Sequence, residues 1–132
     1  MAERTLQDDL SEHEEWLKNP ATGKRAVLID ADLSNLDLRG ANLRNADLRG
    51  VSLTGSNLAG EDLCDANLSQ SNMFDVDLQS ALLRRADLTE VDLRRANLKG
   101  ADLTNAEVWR TNLKGCTVDP VVLHQMLGCT LP

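Results

Sequence analysis

Aromatic side chains are nearly absent. Phe74, Trp16 and Trp109 are the whole complement in 132 residues, and there is no tyrosine. An interior that cannot lean on aromatic bulk must be aliphatic, and leucine fills 24 positions. Cysteine is scarce and odd in number: Cys64, Cys116 and Cys129 include no C-x-x-C pair. That disfavours a disulfide scaffold or a zinc site and fits a reducing compartment. Long apolar runs are missing too. Nothing approaches the roughly 18 residues of a membrane span, and Met1-Ala2-Glu3-Arg4 leads into acidic, polar sequence rather than a secretory apolar segment. The expected compartment is therefore the cytoplasm, with no membrane partner. Basic residues are outnumbered 14 to 21, for a net charge of -7. Direct nucleic-acid binding, which needs clustered Lys and Arg, is not expected.

What is abundant is a beat of five. An apolar residue recurs at every fifth position from Leu28 through Leu33, Leu38 and Leu43 to Leu113 and Val118, nineteen units without an insertion. Two residues before each centre the side chain is usually small, and in ten units it is Ala, as at Ala41, Ala46 and Ala86. One residue before the centre it is Asp or Asn in fourteen units, as at Asp32, Asn42 and Asp47. The two residues after it are mostly polar, basic or Gly, as in Arg39-Gly40 and Lys99-Gly100.

A period of five fits neither regular element. On an α-helix, successive centres would advance by about 140° and smear around the surface. On a straight strand they would alternate between faces, because five is odd and the side-chain period is two. The chain must turn within every unit so that each presents the same face inward. Asp, Asn, Ser and Gly make such turning cheap, through side-chain to backbone bonds and tolerance of unusual dihedrals. The consequence is a coil wound around a column of leucines, with each buried centre contributing roughly 1.5–3 kcal/mol before chain entropy is subtracted.

The A-(D/N)-L-x-x pattern of Ala41-Asn42-Leu43-Arg44-Asn45, Ala46-Asp47-Leu48-Arg49-Gly50 and Ala96-Asn97-Leu98-Lys99-Gly100 resembles the pentapeptide-repeat family. The resemblance implies an all-β solenoid: a right-handed, quadrilateral parallel β-helix with one unit per side and twenty residues per coil. Nineteen units would make just under five coils. Taking every twentieth residue from Ala26 gives Ala26, Ala46, Ala66, Ala86 and Ala106, one column that is alanine throughout, while the other columns are mixed. Stacked coils about 4.8 Å apart would give a rod roughly 20 Å tall.

A β-helix must cover its terminal coils against edge pairing, and both ends carry helix signals. Leu6, Leu10, His13 and Leu17 lie at helical spacing between Thr5 and Lys18, with Asp8 and Asp9 in the first turn and Pro20 and Gly23 beyond the end. This predicts a helix laid over the first coil, with Trp16 and Leu17 as its covering surface. Asp119-Pro120 reads as an N-cap followed by proline at the first helical position, and Gly128 as a stop. The organisation expected is one structural domain: residues 1–23 a capping helix and linker, 24–119 the repeat, and 120–132 a C-terminal capping helix and tail. Val121, Val122, Met126 and Leu127 are the candidate cap or oligomer contacts, for a monomer or an end-to-end homodimer.

Chemistry is hard to find in this pattern. His13 and His124 stand one in each predicted cap, without ligand partners nearby in the pattern. The many carboxylates recur because the turn needs them, and a filled rod offers no cleft for paired catalytic acids. Gly40, Gly50, Gly55 and Gly60 keep the five-residue beat and form no phosphate-binding loop. No catalytic residue, cofactor or metal is expected. Departures from the pattern say more. Glu61 takes an inward, normally small position, so its unit should bulge or its side chain should find hydrogen-bond donors. Phe74 follows a centre and faces outward, one coil from Arg94 and Thr54; Trp109 also follows a centre, near enough to the end to be covered by the C-terminal segment. Residues 51–83 hold no Lys or Arg but include Glu61, Asp62, Asp65, Asp75 and Asp77, an acidic belt. Phe74, Asp75, Asp77 and Arg94 form the candidate partner surface.

The function expected is that of a non-enzymatic, bacterial, cytoplasmic interaction or scaffold module with an unknown protein partner. The alternative comes from the resemblance: some members of the family resemble double-stranded DNA in size and negative charge and bind and protect DNA gyrase. That mechanism wants a long acidic surface, and here the repeat is short and interrupted by bases.

Overall fold

The structure, a computed structural model, describes residues 3–127. Its repeating unit explains the sequence rule. Leu48 and Ala46 are wholly buried, and the Leu48 carbonyl accepts a hydrogen bond from the Val51 N–H at 3.2 Å, closing a four-residue turn at the corner. The third residue of that turn must take positive φ, as in a type II turn. Gly50 does so at +67°, and the corresponding corner position does so in every unit from Asp30 to Gly115. Before the corner, a carboxamide or carboxylate oxygen accepts from the N–H two residues on; Asp87 Oδ1 takes the Thr89 N–H at 2.9 Å. All fourteen Asp and Asn residues that precede a centre make this bond.

The coils stack in parallel at a separation of twenty residues. Val27 bridges Asp47, Asp47 bridges Asn67, Asn67 bridges Asp87 and Asp87 bridges Glu107, and the other sides repeat the scheme. Leu48 N–H donates to the Asn67 carbonyl at 2.7 Å, and Asn67 N–H returns a bond to the Ala46 carbonyl at 3.0 Å. Twenty residues at five per unit make four sides, which the spacing alone left open. Leu48, Leu53, Leu58, Leu63, Leu68, Met73 and Leu78 are fully buried, and the run continues through Leu103. The interior is therefore a filled column, as the poverty in aromatics requires.

One bridge is missing from the ladder, that between Asn42 and Asp62. Of the two outcomes expected at Glu61, a bulge of its own unit or hydrogen-bond donors for its side chain, the second is found: its own unit stays in place, and the unit below bends to supply the donors. Asn42 takes φ of +48°, where the equivalent residue in the other units is extended. The four amides from Gly40 to Leu43 then turn toward the Glu61 carboxylate, whose oxygens accept from Ala41 N–H and Leu43 N–H at 3.2 Å each. Glu61 is 2% exposed, and burial pushes its carboxyl above the ordinary range despite those donors. The lower unit yields because it lies in the first coil, where the Asn42 N–H has no coil beneath it to bond.

Helix α1, Leu6–Lys18, begins with a capping box: Thr5 Oγ1 accepts from Asp8 N–H, and the Asp8 carboxylate accepts from Thr5 N–H. Its covering residues are Leu6 and Leu10, packed on the core, and His13, which is wholly buried. Trp16 and Leu17, predicted to be the cover, are half-buried but do not pack on the core, which α1 meets through Leu6 and Leu10. Trp16 instead stacks on the His13 ring, with centroids 5.6 Å apart. The linker then runs against the helix. A Cβ at Gly23 would sit 2.1 Å from the Trp16 nitrogen, so only glycine fits there. Helix α2, Pro120–Leu127, buries Val122 and Met126. The Asp119 carbonyl accepts the Leu123 N–H as an N-cap does, but its carboxylate takes the Gly100 N–H of the adjacent coil, at 2.7 Å. Gln125 Oε1 similarly accepts from Leu103 N–H. Gly128 and Cys129 lie outside the described residues.

Candidate functional site

The outward residues form columns along the rod, because residues twenty apart are stacked. Phe74 stands below Arg94, which stands below Lys114; beside them at the corner Asp75 is followed by Arg95 and Gly115. The Phe74 ring is half-buried beneath two guanidiniums, with Cζ of Arg94 5.4 Å and Cζ of Arg95 5.6 Å from its centroid. Arg94 is fixed by Asp92, to which Nε and Nη2 donate at 2.9 and 2.8 Å. That pairing holds the Asp92 carboxyl below its usual range and raises the arginine. Phe74, Arg94, Arg95, Lys114 and Gly115 enclose a groove of about 250 Å³. Glycine at 115 leaves its upper wall low, since a Cβ there would touch Arg95 Cγ at 3.4 Å.

Of the four residues expected to share a partner surface, Phe74 and Arg94 come together and Asp75 lies exposed at the same corner. Asp77 falls on the next side of the rod, where it accepts the Gln79 N–H at 3.0 Å. Arg95 and Lys114 were missed. Their signal was present in the twenty-residue columns, since Lys114 is two coils above Phe74 and Arg95 is one residue past Arg94.

The second candidate set divides. Val122 and Met126 turn inward and join the core, whereas Val121 and Leu127 remain 54% and 66% exposed. Trp109, expected under the C-terminal segment, is 64% exposed and instead carries Arg110 over its ring at 5.2 Å. The reason is placement: α2 reaches over the coil at Gly100 and Leu103, a different corner from Trp109.

The acidic belt is largely neutralised from neighbouring coils. Asp65 holds Arg85 through two bonds of 2.8 and 2.9 Å, Asp62 lies 3.9 Å from Arg44, and Glu61 is buried in amides. Burial raises the thiols of Cys64 and Cys116, and the hydroxyls of Ser34 and Ser69 bond to Asp32 and Asn67 of their own turns. His13 is satisfied on both nitrogens, with Nδ1 accepting from Ala26 N–H at 2.9 Å and Nε2 donating to the Arg44 carbonyl at 2.8 Å. Among the described residues no cluster of His, Cys, Asp and Glu could hold a metal, and no helix is long and apolar enough to cross a membrane.

Parallel twenty-residue coils, an interior filled by leucine and outward columns of polar side chains define a β-helical solenoid whose chemistry is confined to its outer faces. The chain belongs to the pentapeptide-repeat family: the model for pentapeptide repeats matches 8 copies, over residues 24–60, 46–85, 71–110 and 81–118. Membership implies the right-handed quadrilateral β-helix. The chain is similar to a solved pentapeptide repeat protein of the Arabidopsis thaliana thylakoid lumen, at 34% identity with a TM-score of 0.53, over 58% of this chain and 57% of that one. It is also similar to a pentapeptide repeat protein from Nostoc, at 32% identity with a TM-score of 0.51, over 78% of this chain and 73% of that one. No curated protein sequence matches it.

Proposed function

We propose that the chain is a non-enzymatic interaction module, a short β-helix of just under five coils closed by α1 below and α2 above, acting on a protein partner in a bacterial cytoplasm. Pentapeptide-repeat proteins are generally structural or interaction modules. The observation that carries the reading is the groove at Phe74: an aromatic ring and three cations gathered on one outer face of the rod. Free thiols at Cys64 and Cys116 suit the reducing compartment. The gyrase alternative draws less support, because Glu61, Asp62, Asp65, Asp92 and Asp102 are each engaged by amides or arginines and the acidic surface is thin.

The test is affinity capture from the native host with the wild-type chain and with Phe74→Ala, followed by reconstitution of any retained protein with the purified chain. The expected result is one protein that binds in reconstitution and binds the variant several-fold more weakly. Failure of every retained protein to bind in reconstitution overturns the reading. A supercoiling assay with DNA gyrase is run alongside; an effect of the chain at stoichiometric amounts would transfer the function to the alternative.

A further inference from the structure

The groove at Phe74 has a charge imbalance that its own surroundings do not correct. Arg94 and Arg95 place two guanidiniums over one ring, at 5.4 and 5.6 Å. Only Arg94 has an acid, the bidentate Asp92. Among the described residues Arg95 has no ion pair, nor has Lys114 at the groove's upper edge. Four other arginines of the rod are matched by acids within the fold, Arg39 by Asp37, Arg49 by Asp47, Arg84 by Asp102 and Arg85 by Asp65, whereas Arg110, over Trp109, shares the unpaired state of Arg95 among the described residues. With Asp92 on Arg94 and Asp75 exposed at the same corner, the three cations Arg94, Arg95 and Lys114 still leave an excess of one positive charge beside an apolar ring, in a chain whose net charge is -7, and Arg95 and Lys114 are the two without an ion pair among the described residues. The groove's recess lies between the ring and those two cations, bounded by the missing side chain of Gly115.

We propose that this groove binds an acidic peptide segment of the partner protein, one carboxylate placed between Arg95 and Lys114 and the adjoining apolar stem or side chain laid against Phe74. The proposal deepens the interaction reading and rests on it. Charge and shape select this occupant. The guanidinium of Arg95 offers paired donors that match a carboxylate, and Lys114 adds a second point charge. The ring supplies the apolar contact that a bare inorganic anion cannot use. A nucleic acid is disfavoured because its affinity comes from many phosphates neutralised in a row, and here the cations stop after one groove while Asp75 and Asp77 follow along the chain. A short segment meets only the local positive field; a long polyanion meets the rest of the rod as well.

The experiment uses the full chain and a fluorescein-labelled peptide of alternating Glu and Leu, followed by anisotropy, with amide shifts recorded by NMR. The same peptide with Gln for Glu, inorganic phosphate and a short single-stranded oligonucleotide are the comparison probes. The expected result is saturable, salt-sensitive binding of the Glu peptide that shifts the amides of Phe74, Arg95 and Gly115 and is about tenfold weaker in the double variant Arg95→Glu, Lys114→Glu. Phe74→Ala should weaken it several-fold. Thermal melts of these surface variants report that the fold is intact. No saturation up to millimolar peptide overturns the proposal, as does equal binding of the Gln peptide, of phosphate or of the oligonucleotide, or indifference to charge reversal. These failures leave the interaction reading standing, because it is decided separately by the reconstituted partner.

Discussion

Aspartate and asparagine serve interchangeably before a buried centre because the turn uses one acceptor oxygen and not the charge. Asn67 and Asp87, stacked on one side of the rod, each accept the N–H two residues ahead, at 3.0 and 2.9 Å. Glu107 continues the same column with one more methylene and makes no such bond to Trp109 among the described residues. The choice between acid and amide is thus free for other uses, and in five turns the acid's use is an arginine: Asp37, Asp47, Asp62, Asp92 and Asp102. Glu61 is a different kind of acid. Its carboxyl, pushed up by burial, favours the protonated form in the folded chain. The stability tied to this group is fully present below the ordinary glutamate value near 4.3 and is lost as pH rises through the higher folded value. Glu61→Ala restores the alanine that other units carry, lets Asn42 return to an extended conformation and allows its missing bridge to Asp62. The variant should unfold at higher urea concentration than the wild type at pH 7, by a margin that shrinks toward pH 4. A lower midpoint at both pH values would mean that the four amides are worth more than the desolvation they offset. The misfit at Glu61 was legible from the sequence as a large acid in a small position. Which coil would yield was not, because that depends on which amides lack a neighbour below.

At the scale of the element, α1 is attached to the first coil by the packing of Leu6 and Leu10 and by the two hydrogen bonds of one imidazole. Its start was readable in Thr5 and Asp8 and its end in the residues before Pro20, but the period of its apolar positions also included Trp16 and Leu17, and geometry chose the others. His13 Nδ1 is an acceptor, so it carries no proton, and the ring is neutral with its hydrogen on Nε2. Burial holds its pKa below the ordinary value, and the charge of Arg25 adds to this. The detached helix therefore takes up a proton more readily than the docked one. Docking is at full strength above about pH 6.5 and weakens as pH falls toward the folded value. The Ala26 amide reports this directly: its protection factor in hydrogen exchange should drop between pH 7 and pH 5 in the wild type. In His13→Gln, whose amide can donate and accept without titrating, the factor should stay level across that range. A wild-type factor that also stays level would show that α1 is held by Leu6 and Leu10 alone.

For the molecule as a whole, the absence of aromatics and the abundance of leucine are two sides of one packing solution: four corners close around a column narrow enough for aliphatic side chains to fill. A turning coil around a leucine column followed from a period of five; the four corners did not, and they rest on the twenty-residue stacking. The groove did not follow either, because nothing in the linear order of Phe74, Arg95 and Lys114 separates them from other outward residues until the chain is coiled in twenties. In such a stack each coil touches only its neighbours, so stability should vary along the rod. Centres from Leu48 to Leu103 are sealed, whereas Val108, Leu113 and Val118, in the last turns of the repeat, are half-buried. Native-state hydrogen exchange should therefore show the amides of residues 63–93 as the slowest and those of residues 106–118 as measurably faster; uniform rates would mean that the rod opens all at once. Nineteen near-identical units also pose a problem of counting. A chain of interchangeable parts can be wound one unit out of step and still bury leucine at every corner. The cradle of amides over Gly40-Ala41-Asn42-Leu43 accepts a carboxylate, and the only inward carboxylate in the repeat is Glu61, twenty residues past Ala41. Wound one step early or late, Glu61 faces Leu36 or Ala46 and loses that cradle. The irregular unit thus works as an index mark, fixing where the first complete lap ends and the second begins.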